Sequence, residues 1–357
     1  MTDSRVDEHT ALVLNMAKTL GASSVGITTA ETLGTDDPTA SYDYVLEGAR
    51  SAITFAVPFG DGGINEVIES SLSKKDHKTM ETMKVRATTL ANGIAFEMAG
   101  LLNQIGCEAV PVHANYVYRP DRPPEKRVPP LSHKLLALRS GVGFTGFSSM
   151  ILTKEHGACI ALASVVTKAE LRPTPPLPAN ENYCDQCKLC SAACLSGYIS
   201  GDAVDGMVGD APFTISKKGD PMRCVFVCGG GTGKTHKAEW TTWCPAEFDV
   251  PDDDEEMHAE FKANAQPALI RRANEVGFKG GFCHPFYPGY LSEYTCSICQ
   301  YICHPDKKVR MHRYKLLRES GVSVPDEKGG YRAVSADEAK TIFEQMPPET
   351  RKMYVKD

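Results

Sequence analysis

Residues Cys184–Cys194, reading CDQCKLCSAAC, set four cysteines at the spacing C-x2-C-x2-C-x3-C, and this spacing constrains the chain more than any other feature in it. Three thiolates so close along a wrapped loop match three irons of one [4Fe–4S] cubane, while the fourth points away and ligates a second cluster. A tetrahedral zinc ion takes two separated pairs of ligands, so a triplet this crowded fits it poorly.

The second motif, CSICQYIC, places Cys296, Cys299 and Cys303 at C-x2-C-x3-C and lacks an upstream cysteine. Further back, RCVFVC offers Cys224 or Cys228. Exchange of the fourth ligand then assigns Cys184, Cys187, Cys190 and Cys303 to one cluster. Cys194, Cys296, Cys299 and Cys224 go to the other, with Cys228 as the alternative to Cys224. Two [4Fe–4S] clusters account for eight of the 13 cysteines. Cys107, Cys159, Cys228, Cys244 and Cys283 are left over and read as small buried residues, with Cys283-His284, in a glycine-rich loop, kept as a minor site candidate.

Cys228 itself opens the run CGGGTGKTH, which resembles a phosphate-binding loop. Cys228 stands where such a loop needs its first glycine, so the run reads as a turn beside a cluster. Successive backbone N–H groups in that turn, with Lys234, still offer a nest for an anion.

Upstream of Cys184 the texture changes. Residues 8–20, EHTALVLNMAKTL, place apolar side chains on one helical face and stop at Gly21. SVGIT and SAITFAVPF read as strands, a helical pattern runs from His77 to Gly106, and CEAVPVHA follows as a strand. Beyond the proline-rich RPDRPPEKRVPP, residues 131–140 read as a helix capped by Gly141, and SSMILT and ACIALASVV as strands. This alternation predicts an α/β or α+β sandwich. Downstream, the acidic DDDEE leads into a helix in which Pro267 predicts a kink. The expected organisation is an N-terminal domain over 1–175, an iron–sulfur domain over 176–320 and a C-terminal tail over 321–357.

A net charge of -6 leaves no basic footprint for a nucleic-acid partner, and the segment MTDSRVDEHT lacks the apolar stretch of a secretory signal. ACIALASVV is far too short to cross a bilayer. Abundant cysteine in a chain with these features points to metal ligation rather than disulfides, and to the cytoplasm.

Together with the two cysteine motifs, GASSVGIT, GARSAITFAVPF and SHKLLALRSGVGFTGFSSMILTKEHGACIALASVVTKAEL resemble the superfamily of epoxyqueuosine reductases and reductive dehalogenases, over about residues 10–310. The resemblance implies a nitroreductase-like sandwich that binds cobalamin, followed by a ferredoxin-like module with two [4Fe–4S] clusters. It implies cofactor contacts at Gly141, Gly143, Gly146 and Phe147. Electrons would pass from an external donor, such as a ferredoxin or flavodoxin, through the clusters to cobalt and on to a small organic substrate.

The chain departs from the family pattern at several places. Cys194 is followed by Leu195, and Cys303 by His304, where the family commonly has proline. Arg127 stands where epoxyqueuosine reductases carry an aspartate, and Phe147 where dehalogenases carry a basic residue. Tyr116, Tyr118 and His133, with His113, are the candidate proton donors near the glycine loop. A cobalamin-free electron-transfer protein and a cobalamin-reducing accessory protein are the alternative readings.

Overall fold

The computed structural model describes residues 3–356 except 61–63, 114–117, 124–125, 127, 236–238, 276–281, 285–286, 293–295 and 328–329. Two compact units emerge. The first comprises Met1–Asp61, Lys84–Cys187 and Asp202–Ser216, and the second Gly62–Met83, Lys188–Gly201 and Lys217–Asp357.

In the first unit an antiparallel sheet has the order β1-β2-β6-β3, built from β1 (Ser24–Thr29), β2 (Ser51–Pro58), β3 (Ala109–Val112) and β6 (Ile160–Thr167). All eight residues of β2 are buried, as a strand covered on both faces requires, and β2 lies between β1 and β6. Helix α1 (Asp3–Thr19) buries Val6, Val13 and Ala17 on one face, which is the periodicity read from the sequence. The short β4 (Phe144–Thr145) and β5 (Ile151–Leu152) pair across the loop that contains Gly146.

Polar residues inside this sheet are matched to one another. Thr54 Oγ1 lies 2.7 Å from Ser164 Oγ, and His133, the first residue of α4 (His133–Arg139), reaches the same Ser164 hydroxyl with Nδ1 at 2.8 Å. Its Nε2 donates to His113 O at 2.8 Å. Burial outweighs that bond and holds the His133 pKa below the usual imidazole value.

A hairpin not foreseen from the sequence joins the two units in chain order. Strands β7 (Ile199–Val208) and β8 (Ala211–Lys218) meet at Gly209, whose φ of 57° suits glycine, and Asp210. At its tip, Val208 and Ala211 enter the same core as Leu33, Leu136 and Leu138. Arg139 fixes the turn by donating to Thr32 O at 2.8 Å and pairing with Asp210 at 3.0 Å.

The second unit is mostly helical at its start. It contains α2 (Ile64–Lys74), the beginning of α3 (His77–Gln104), and α5 (Pro221–Cys228). The irregularity expected at Pro267 spreads over the preceding turn: α6 (Asp254–Glu260) passes through a π-helical turn at Phe261–Ala265 into α7 (Gln266–Glu275). Short strands β9 (Phe282–His284) and β10 (Tyr287–Ser292) precede the second cysteine motif, and α8 (Lys307–Glu319) follows it. Residues 321–357 form β11 (Val322–Pro325), β12 (Tyr331–Val334) and α9 (Ala336–Gln345), with a core of Val322, Val324, Phe343, Met353 and Tyr354. The Arg272 guanidinium crosses into this region and donates to Met353 O and Gly230 O, each at 2.6 Å.

Lys75 is 8% exposed; its Nζ donates to Thr241 O and, at 2.7 Å, to Ser320 Oγ. Burial depresses its pKa from 10.5 to about 7. An unfolded lysine keeps its ordinary value, so between about 7 and 10.5 the unfolded chain binds a proton that the folded chain has lost. Stability from this group therefore rises with pH through that window and is flat below it. In paired urea titrations across the window, the wild type is expected to gain stability relative to Lys75→Met as pH rises; a constant difference would refute the assignment.

Candidate iron–sulfur and cofactor site

Both cysteine loops contain left-handed turns. Non-glycine residues take the left-handed conformation at few places, and three of them lie within the motifs: Gln186 (φ 52°), Lys188 (φ 58°) and Ser297 (φ 46°). Each falls between the cysteines of a C-x2-C step. The amides that reach sulfur come from outside these turns. Phe147 N donates to Cys184 Sγ at 3.3 Å, and Ile199 N to Cys194 Sγ at 3.4 Å. Amide bonds to sulfur are what a cluster thiolate uses to spread its charge.

Within the second unit the structure brings together Cys194, Cys224, Cys228, Cys296 and Cys299. Cys224 and Cys228 have their sulfurs 3.7 Å apart. The Cys224 thiol is pushed well up in pKa by its hydrogen bond to Cys228, the charge of Cys228, burial, and the charges of Cys299 and Cys194. Cys296 is raised likewise, through its hydrogen bond to Cys228, burial, the charge of Cys228 and Cys299. Tyr198 is raised to about 12 by burial and by Cys224, Cys194, Cys299 and Asp220. Sulfurs this close resist ionising together unless a cation sits among them. None of the described cysteines is in a disulfide. Among the described residues no group of three His, Cys, Asp or Glu could hold a single ion.

Cys184 and Cys187 lie in the first unit, and Cys190 and Cys303 in the second. Of the remaining cysteines, Cys107, Cys159 and Cys244 are buried, as expected, while Cys228 is half-buried. The side chain of Cys283 lies outside the described residues.

In the first unit a cavity of about 500 Å3 opens beside Cys184. Thr145, Asn182 and Gln186 line it from the glycine loop and the linker, and Met207, Phe213 and Thr214 from the hairpin. The hairpin contribution was missed from sequence, although Gly209-Asp210 between Val208 and Ala211 is a two-residue turn signal.

The glycines of the loop have another reason to be glycine. A Cβ on Gly143 would meet Ile151 Cγ2 and Leu152 O at 2.7 Å, one on Gly146 would meet the Leu152 side chain at 2.7 Å, and one on Gly141 would meet Pro175 O at 2.5 Å. All three neighbours are protein, and none of these glycines lines the cavity. Phe147 is 2% exposed and bridges the loop to its surroundings, its C=O accepting from Ser216 N at 2.7 Å.

Among the candidate proton donors, His133 has both ring nitrogens committed inside the sheet. Tyr118 is 40% exposed. Tyr116 and Arg127 lie outside the described residues. The CGGGTGKTH turn is closed on itself, and the anion nest expected there is not formed by its described N–H groups. Gly230, Gly231 and Gly233 donate to Val227 O, Phe226 O and Ala246 O, and Lys234 Nζ pairs with Asp249 at 3.2 Å. His304 Nδ1 accepts from Asp306 N at 3.0 Å in a local turn.

With this geometry in hand, comparison with known proteins is informative. The chain is similar to epoxyqueuosine reductases. It is 36% identical over 69 residues to the enzyme of Bacillus subtilis, covering 19% of this chain and 17% of that protein. It is 29% identical over 91 residues to that of Francisella cf. novicida, covering 25% of each. The aligned stretches thus span a quarter or less of these relatives' lengths. No family model matches the chain. Among solved structures, a catabolic reductive dehalogenase in complex with 3-bromo-4-hydroxybenzoic acid superposes with a TM-score of 0.46 at 18% identity, covering 74% of this chain and 35% of that one. An epoxyqueuosine reductase with a tRNA stem loop gives 0.41 at 17% identity, covering 96% and 74%. The epoxyqueuosine reductases named in the resemblance read from the sequence are among the proteins that match the chain. No described helix is long and apolar enough to cross a membrane.

The left-handed turn at Gln186 generates a direct expectation. Gln186→Gly should keep full iron incorporation, whereas Gln186→Val, β-branched at positive φ, should lower it. Iron content per chain after anaerobic reconstitution measures both.

Proposed function

We propose that the protein is an iron–sulfur reductase that carries two [4Fe–4S] clusters and a cobalamin and reduces a small organic substrate. The observation that carries this reading is the pair of wound cysteine loops with amide-to-sulfur hydrogen bonds, one of whose sulfurs, Cys184, forms part of a cavity wall. The similarity to epoxyqueuosine reductases supports the same class of chemistry.

By their spacing, Cys184, Cys187, Cys190 and Cys303 hold one cluster, and Cys194, Cys224, Cys296 and Cys299 the other. The fold read from the resemblance, a nitroreductase-like sandwich with a ferredoxin-like module, is part of the same proposal. When bound, cobalamin supplies a low-valent cobalt centre able to reduce an organic substrate. The amide and hydroxyl groups of Asn182, Gln186, Thr145 and Thr214 suit the amide rim of a corrin, and Phe213 and Met207 suit its apolar face. The cavity takes an edge of that group rather than the whole of it. Tyr116, Tyr118 and His133 are the proton-donor candidates of this scheme, and the Tyr118 ring is exposed. An external ferredoxin or flavodoxin is the electron source.

Asp205 is the one charged residue among those lining the cavity, which suits an uncharged or cationic substrate better than a polyanion. Since relatives include an enzyme solved with a tRNA stem loop, a tRNA remains an outcome of the substrate test.

A second reading, an electron-transfer protein without cobalamin, is favoured by the glycine loop, whose glycines make room for protein atoms. Anaerobic reconstitution with iron, sulfide and cobalamin separates the two. The proposal expects about eight irons and about one retained cobalt per chain, with EPR signals from both kinds of centre. Eight irons without retained cobalt would replace it with the electron-transfer reading. A binding assay with a tRNA stem loop is expected to give no retention at physiological salt.

A further inference from the structure

The hairpin of β7 and β8 turns one face to the cavity beside Cys184. Side chains alternate along a strand, so Asp205 and Met207 share one side of β7, and both line the cavity with Pro212 and Thr214 of β8. Gly206 stands between them, and a Cβ there would collide with the Phe213 ring. That ring packs against the core that holds Val208, Ala211 and Leu136, so the apolar part of the wall is braced from behind. Across the hairpin, Thr214 Oγ1 donates to Asp205 Oδ1 at 2.6 Å, which fixes the carboxylate and leaves its remaining lone pairs for a donor on a ligand. Among the described residues that line the cavity none is basic.

A carboxylate set in an apolar wall, with no basic residue among its lining neighbours, selects by charge and by shape. One of its oxygens is already engaged by Thr214, so a compact ammonium group suits it better than a guanidinium or amidinium, which makes two parallel bonds to both oxygens. Phe213, Met207 and Pro212 offer contact to the apolar body that carries such a group. We infer that Asp205 is the specificity-determining residue of this cavity, and that the ligand is a small organic ammonium ion with its nitrogen at the Asp205 carboxylate and its apolar part against Met207 and Phe213. This rests on the reductase reading of the preceding section, in which the substrate reaches the cavity, and it names the class of that substrate. Asp205 is not among the cobalamin contacts proposed there.

The test uses the full chain reconstituted anaerobically with iron and sulfide, without cobalamin, and titrated with probes of similar size: benzylamine, benzyl alcohol and benzoate. Calorimetry or ligand-observed NMR reads the binding. The wild type is expected to hold benzylamine about fivefold more tightly than benzyl alcohol and to show no binding of benzoate. Asp205→Asn keeps an oxygen that can accept from Thr214 and removes the charge, so benzylamine should fall to the level of benzyl alcohol. Met207→Ser should weaken benzylamine and benzyl alcohol by the same factor. Asp202→Asn, on the same strand but outside the cavity lining, should change neither. A wild type that binds no benzylamine, or binds it no better than benzyl alcohol, would overturn the inference. Equal losses in Asp205→Asn and Asp202→Asn would overturn it too, since diffuse surface charge would then account for the preference. Cobalt retention is measured separately and reports the cobalamin reading, so either can fail without the other.

Discussion

Thiols held close together in a partly buried place repel as soon as they ionise, and much of the cysteine-rich unit is arranged around that fact. Cys224 and Cys296 are pushed well above the ordinary thiol value chiefly by neighbouring sulfur, through hydrogen bonds and charge. Tyr198 is raised too, partly by the same sulfurs. No structural gain follows from crowding thiols without a cation to share. A cation shared among them would offset that repulsion, and the Phe147 and Ile199 amides that donate to Cys184 and Cys194 would disperse charge further. The left-handed turns at Gln186, Lys188 and Ser297 are conformations that side chains adopt only against a cost, and each belongs to the same arrangement.

The first unit solves a different problem. Its central strand β2 is covered on both faces yet carries Ser51 and Thr54. A buried hydroxyl without a partner would cost about 1–3 kcal/mol, and here Thr54, Ser164, His133 and the His113 carbonyl form one chain of contacts. That chain explains why His133, a reasonable acid by sequence position, is held with both nitrogens engaged. A histidine near a glycine loop reads the same in sequence whether it faces a substrate or a strand, because the strand partner Ser164 lies 31 residues away.

The main strands and helices of the first unit were legible because burial alternates or runs continuously in ways that periodicity records: β2, β6, α1 and α3 all lie close to where the apolar pattern placed them. Cysteine spacing carries its expectation for a chemical reason, since a cubane would fix which residues along a loop can reach an iron. The hairpin β7–β8 was not read. Strand β7 is mostly exposed and interrupted by Gly201, Asp202, Asp205 and Gly206, so neither period stands out, and Gly209-Asp210 is the turn signal that marked the hairpin. The role of Gly141, Gly143 and Gly146 was also beyond the sequence, because a glycine required by a ligand and one required by Leu152 or Pro175 are the same letter.

The hairpin changes how the glycine loop should be understood. Ser216 on β8 donates to the Phe147 carbonyl, and the N–H of the same Phe147 donates to Cys184 sulfur. One residue of the loop is thus held from the hairpin side while it hydrogen-bonds the Cys184 sulfur. Phe147 stands where dehalogenases carry a basic residue, and here its side chain is buried while its backbone does the contacting. With a cavity beside that cysteine and the hairpin forming the opposite wall, a segment absent from the sequence-based picture both shapes the space available to a ligand and braces the amide that faces the sulfur. A change in hairpin length would therefore alter the cavity and the surroundings of the Cys184 sulfur together.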